Sequence, residues 1–171
     1  MKRAAEQRTL ELVLDWAKEE GHPDVLAEAL AGLGHHENPR IAPLGLSFFA
    51  HAAPQVRVVV PSTLRSVSSE RSGRKTFTSE GLNVLLALAR DTDSSVRRVA
   101  DHVLAYNLSP EPAIGDTLAD LLDDEDQQTR TWAVYGLAEW DDPRTLPREA
   151  RDARSNAPKA DRCPRRCRSW A

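Results

Sequence analysis

Four groups of residues in this chain have types that could do chemistry. His35-His36-Glu37 places three metal-ligand side chains in a row, but a helical zinc site needs its histidines four apart on one face, and neighbours in a turn diverge. Cys163 and Cys167 stand four apart with no His after them, so they read as incidental thiols rather than metal ligands. Asp123, Asp124, Glu125 and Asp126 are consecutive carboxylates, a charge run that reads as a solvated turn and not as a separated acid–base pair. Trp132 and Tyr135, with Arg98, Asp101 and His102 upstream, form a recognition set instead, because aromatic and guanidinium side chains bury much area at small entropic cost. No Gly-rich phosphate loop or Ser-centred elbow occurs in the sequence. The chain therefore offers one candidate binding set, with no catalytic residue, no metal site and no cofactor.

Helices are the elements best suited to position that set. Of the 171 residues 40% are hydrophobic, enough for a core, while aromatics are only 5% and β-branched residues do not alternate as strands require. The start, Met1-Lys2-Arg3, leads to an apolar patch broken by Glu11 and Asp15, which is no secretory core, and no apolar run approaches the roughly 20 residues of a membrane span. With both cysteines near the end, the body has no disulfide framework, and a cytoplasmic protein without membrane contact is expected.

Charge is unevenly spread. Residues 148–171 carry eight Lys/Arg against three Asp/Glu, whereas residues 111–142 carry ten acids and one base, Arg130. Such an acidic body repels phosphate backbones, so nucleic acid is excluded as its ligand and a basic protein partner is favoured.

Four stretches superpose without gaps: Val25 to Leu33, Val56 to Leu64, Val96 to Leu104 and Thr129 to Leu137, starting 31, 40 and 33 residues apart. In each, the first, fifth, eighth and ninth positions are small or apolar apart from Thr63 and Thr129, and at about 100° per residue they share one helix face. A second apolar segment precedes each, so every unit is a helical hairpin, and hairpins must stack to bury their stripes. Asp93 and Asp126 stand where they can cap helix starts. Pro61 predicts a kink in the second inner helix, with a short β-strand over Val56 to Val60 as the alternative. The polar stretch 65–79 reads as an inserted loop between repeats, and 148–171 as a basic tail, disordered or aberrant.

Asn38-Pro39-Arg40 followed by Val56-Arg57, and the echo Asp142-Pro143-Arg144, resemble the Asp-Pro-Arg opening and Val-Arg signature of bacterial HEAT-like repeats. The resemblance implies an all-α, right-handed α-solenoid of about four hairpins within residues 1–147, with inner helices near 24–33, 55–65, 95–106 and 128–138. It also implies a concave face that docks partners. Deoxyhypusine hydroxylases, HEAT-repeat di-iron enzymes, place His-Glu at the third and fourth inner-helix positions, where this chain has Ala27-Glu28, Val58-Val59, Arg98-Val99 and Thr131-Trp132. HEAT-type alkylpurine glycosylases need a basic concave surface, which this body lacks. A bilin lyase-like module or other enzyme on the scaffold is the alternative reading and rests on fold analogy alone.

On the angular arithmetic, the third, sixth and seventh positions of each inner helix point away from the stripe. These are Ala27, Leu30 and Ala31; Val58, Pro61 and Ser62; Arg98, Asp101 and His102; and Thr131, Val134 and Tyr135. The expected function is a non-enzymatic scaffold binding a protein partner through Arg98, Asp101, His102, Trp132 and Tyr135, itself a monomer or weakly self-associating.

Overall fold

The structure, a computed structural model, describes residues 8, 11–36, 38, 40–64, 77–106 and 111–145. Of the inserted stretch 65–79, residues 65–76 lie outside the described residues, as do Glu37, Cys163, Cys167 and the basic tail, while Ser79 already belongs to a helix. A helical segment at 11–16 is followed by eight helices: α1 (Pro23–Leu33), α2 (Ile41–Ser47), α3 (Pro54–Arg57), α4 (Val60–Leu64), α5 (Ser79–Leu88), α6 (Ser94–Ala105), α7 (Pro112–Asp120) and α8 (Gln127–Glu139). Single 3-10 turns at Leu121–Asp123 and Pro143–Thr145 complete the described chain, which contains no strand.

The helix ends follow from local chemistry. Proline opens α1, α3 and α7, where its missing N–H costs nothing. The Asp93 carboxylate accepts from the amides of Ser95 and Val96, and that of Asp126 from Thr129, as expected of caps. Pro61 leaves the Arg57 carbonyl without its helical donor, so the second inner helix divides into α3 and α4 with a turn at residues 58–59. The end of α8 is a Schellman turn, with Asp141 at φ 53 and its amide and that of Asp142 reaching the Ala138 and Leu137 carbonyls.

The helices stack as an α-solenoid. The inner layer runs α1, α3 with α4, α6, α8, each against the next, and α2, α5 and α7 form the outer layer. Two apolar clusters fill the space between layers, one around Leu14, Leu26, Leu30 and Ile41, the other from Val60 through Leu85 and Leu104 to Leu137, with Phe48 packed on both. The ninth-position leucines, Leu33, Leu64, Leu104 and Leu137, are all buried.

The stripe is complete in the last three hairpins, whereas in the first Val25 is 45% exposed and Gly32 is open. The sixth position corrects the angular arithmetic. Leu30, Pro61 and Asp101 are buried, and Val134 alone is 46% exposed. At about 140° from the first position, the sixth faces the following hairpin rather than the concave surface, so it is covered wherever a following hairpin is present. Across the last junction the backbones approach closely at Gly136, where a Cβ would sit 2.9 Å from the Ala105 Cα.

A polar ladder runs beside this apolar stack. The Arg57 Nη1 donates to the His51 and Ala52 carbonyls of its own turn, while Nε and Nη2 grip Asp91 of the next hairpin at 2.7 and 2.8 Å. Arg97 repeats this one hairpin later, holding the Asp91 and Thr92 carbonyls with Nη1 and Asp124 with Nε and Nη2, at 2.8 and 3.2 Å. These are bidentate, nearly buried pairs and the strongest class of protein hydrogen bond. The Arg57 guanidinium holds Asp91 below the usual carboxylate range. At Asp124 burial pushes upward, but Arg97 and the Asp126 amide outweigh it and the net shift is downward.

Candidate functional site

The inner faces of α6 and α8 meet in an aromatic cluster. Arg98, His102 and Tyr106 are spaced four apart and so form one ridge on α6; Trp132, Tyr135 and Glu139 form the facing ridge on α8. The His102 ring lies 4.5 Å from that of Trp132 and 4.9 Å from that of Tyr106, centroid to centroid. Tyr106 in turn lies 5.6 Å from Trp132 and 5.3 Å from Tyr135, and Trp132 meets Tyr135 edge-on at 6.0 Å. All these separations fall within the range of attractive aromatic pairs. Yet Tyr106 is 50% and Tyr135 38% exposed, so the cluster is a firm platform with two rings turned to solvent.

Its electrostatics are anionic. Glu139, and less strongly the Tyr106 phenol, hold the Tyr135 hydroxyl above its usual pKa. Arg98, one turn before His102, is partly buried and helps keep Asp126 ionised. In chemical terms the site presents ring faces and the Glu139 carboxylate to an incoming group.

Of the sequence-derived set, the structure brings His102, Trp132 and Tyr135 into one cluster and keeps Arg98 on the same ridge. Asp101 is withdrawn. It occupies a sixth position and is fully buried between α6 and α8, its two carboxylate oxygens without a hydrogen-bond partner among the described residues. Desolvation, with the negative Asp124 nearby, pushes its pKa up to about 8. Leu30 and Pro61, also placed on the concave face by the same arithmetic, are core residues for the same reason. Tyr106 is the functional candidate that the sequence reading missed. It lies two residues beyond the nine-residue repeat window, but its i+4 spacing from His102 is a readable signal.

A shallow open groove of about 460 Å³ on the first two hairpins is lined by Leu14, Lys18, Arg40, Pro43, Leu44 and Ser47. His35 and His36 are exposed in the turn after α1. Among the described residues no three His, Cys, Asp or Glu side chains cluster as metal ligands, and no helix is long and apolar enough to cross a membrane.

An all-helical stack of hairpins with an Arg–Asp ladder defines the class as an α-solenoid repeat protein. More particularly, residues 82–148 match the family described as HEAT repeats, so the chain carries a HEAT-like repeat region. None of the curated proteins matches the chain.

Proposed function

We propose that this chain is a non-enzymatic scaffold, cytoplasmic in location, that binds a basic segment of a protein partner on the concave surface formed by α6 and α8. The observation that carries the reading is the packed but half-open cluster of His102, Tyr106, Trp132 and Tyr135. Exposed aromatic area held rigid by its own neighbours is what dominant binding residues look like, since little side-chain entropy remains to be lost on contact. A basic partner is supported by the ten acids and single base of residues 111–142, and Lys or Arg side chains pair well with ring faces. A photo-crosslinking residue at position 135, compared with one at the exposed Asn83 on outer helix α5, tests this in the native cell. The expected result is a protein adduct from position 135 and none from 83; adducts from 83 alone move the binding surface to the convex side.

A further inference from the structure

The two ends of the described stack are unfinished in complementary ways. In the third and fourth hairpins a carboxylate stands five residues before the first position, Asp91 and Asp124 respectively, accepts the amide two residues on, and receives the Arg of the preceding hairpin. Glu20 is the same position in the first hairpin. Its Oε1 accepts the His22 amide at 2.8 Å, and among the described residues no guanidinium meets it. At the other end, Arg130 repeats the pose of Arg57 and Arg97, its Nη1 on the Asp124 and Glu125 carbonyls at 2.7 and 2.9 Å. Its Nε and Nη2, the edge that grips the next hairpin in both earlier rungs, have no partner among the described residues.

The apolar positions are open in the same sense. First positions 56, 96 and 129 are buried and Val25 is exposed; sixth positions 30, 61 and 101 are buried and Val134 is exposed. Ala105 packs on Gly136 across the last junction, while a Cβ at Gly32, the equivalent of Gly136, would meet nothing within 4 Å. Ala138, the equivalent of Ala105, is exposed. Donor edge, apolar knob and small residue at one end thus correspond in register to carboxylate, apolar position and glycine at the other.

We propose that a second copy of this chain stacks head to tail on the first, with Arg130, Val134 and Ala138 of one against Glu20, Val25 and Gly32 of the next. The contact reproduces the junction between the third and fourth hairpins, with Glu20 one methylene longer than the aspartates it replaces. Such an interface is heterologous, so it propagates into short chains instead of closing as a symmetric dimer. One hairpin face is a small interface, below about 1,200 Å² in total, so association is weak and rises with protein concentration. Tyr135, a seventh position like His102, borders the contact, whereas His102, Tyr106 and Trp132 lie at the preceding junction, outside it.

Sedimentation velocity of the full chain over a concentration series tests the proposal. Wild-type protein is expected to show a mass that rises with concentration, and Glu20→Arg or Arg130→Glu alone to weaken association by about tenfold. An equimolar mixture of the two variants restores it, because each reversed charge then finds its opposite on the other copy. Val134→Asp, at an exposed position that leaves the fold intact by circular dichroism, weakens it without touching the ion pair. A monomer at every concentration, or an association indifferent to Glu20→Arg and Val134→Asp, overturns the proposal.

Discussion

Where the first hairpin meets the second, Leu26 and Leu30 fill the positions that Arg97 and Asp101 fill where the third meets the fourth. The first junction is apolar in its buried part and has no ladder rung; its polar contacts, Gln55 to Asp24 and Arg40 to Asp15, lie at the exposed edge. The last joins a well-paired ion pair to an unpartnered carboxyl one turn away on the same helix. Burying a charge costs free energy unless hydrogen bonds and an opposite charge compensate it; Asp124 has both and Asp101 has neither. The same fold therefore carries one junction whose buried contacts hold no titrating group and one that responds to pH in two opposed senses.

The strongest way to break that comparison is at Asp101. Its folded pKa of about 8 lies above the ordinary 3.8, so the folded state holds a proton that the unfolded state has released. The associated stability is full below the ordinary carboxylate range and declines as pH rises to about 8, a loss of up to about 6 kcal/mol. Local opening that hydrates the group sets the limit on this loss. Asp101→Asn cannot ionise, so chemical denaturation at pH 9 should find the variant more stable than wild type, with the difference shrinking toward pH 4. An equal gap at both pH values would mean that Asp101 is not the titrating group.

Arg97→Ala should cost about 3–5 kcal/mol at neutral pH, because it strands Asp124 in a nearly dry site. Part of that cost should vanish in acid, as Asp124, held below its usual range with Arg97 as a partner, loses its contribution when pH falls through its folded pKa. In the first junction Leu30→Ala should cost about 2–5 kcal/mol by leaving a cavity, and the loss should be the same at pH 5 and pH 9. A pH-dependent loss there would undo the contrast between the junctions.

The eighth position gives the smallest effects and the sharpest contrast of sign. Gly136→Ala forces a methyl against the Ala105 backbone and should cost about 1–3 kcal/mol. Gly32→Ala meets open space and should be neutral or stabilising by under about 1 kcal/mol, the ordinary helix preference for alanine. Thermal melts of the two variants side by side measure the difference directly.

The sequence read well where a position obeys only its own helix. The ninth-position leucines, the caps at Asp93 and Asp126 and the break at Pro61 depend on local periodicity and backbone chemistry, and all are where that chemistry puts them. It read poorly where a position answers to the next hairpin. Asp101 is a polar residue that helical geometry places on the flank of the stripe, and only the stacking of α8 over α6 turns that flank into core. Three of the aromatic and imidazole members, His102, Trp132 and Tyr135, were legible from spacing on adjacent inner helices, whereas Tyr106 fell past the repeat window. The ladder was legible only at one residue: Val56-Arg57 stood out, but Arg97 did not, and the carboxylate partners of the two arginines lie 34 and 27 residues away and join them only through the stacking.

The central claim, that α6 and α8 present a protein-binding platform, is tested most directly by calorimetric titration of the partner crosslinked from position 135. The comparison is wild type against the doubly substituted chain Tyr106→Ala/Tyr135→Ala. Both rings are only partly covered, Tyr106 50% and Tyr135 38% exposed, so the double variant should melt close to wild type while its affinity falls by about 2 kcal/mol or more, some thirtyfold. Unchanged affinity in a variant that folds normally would contradict the account.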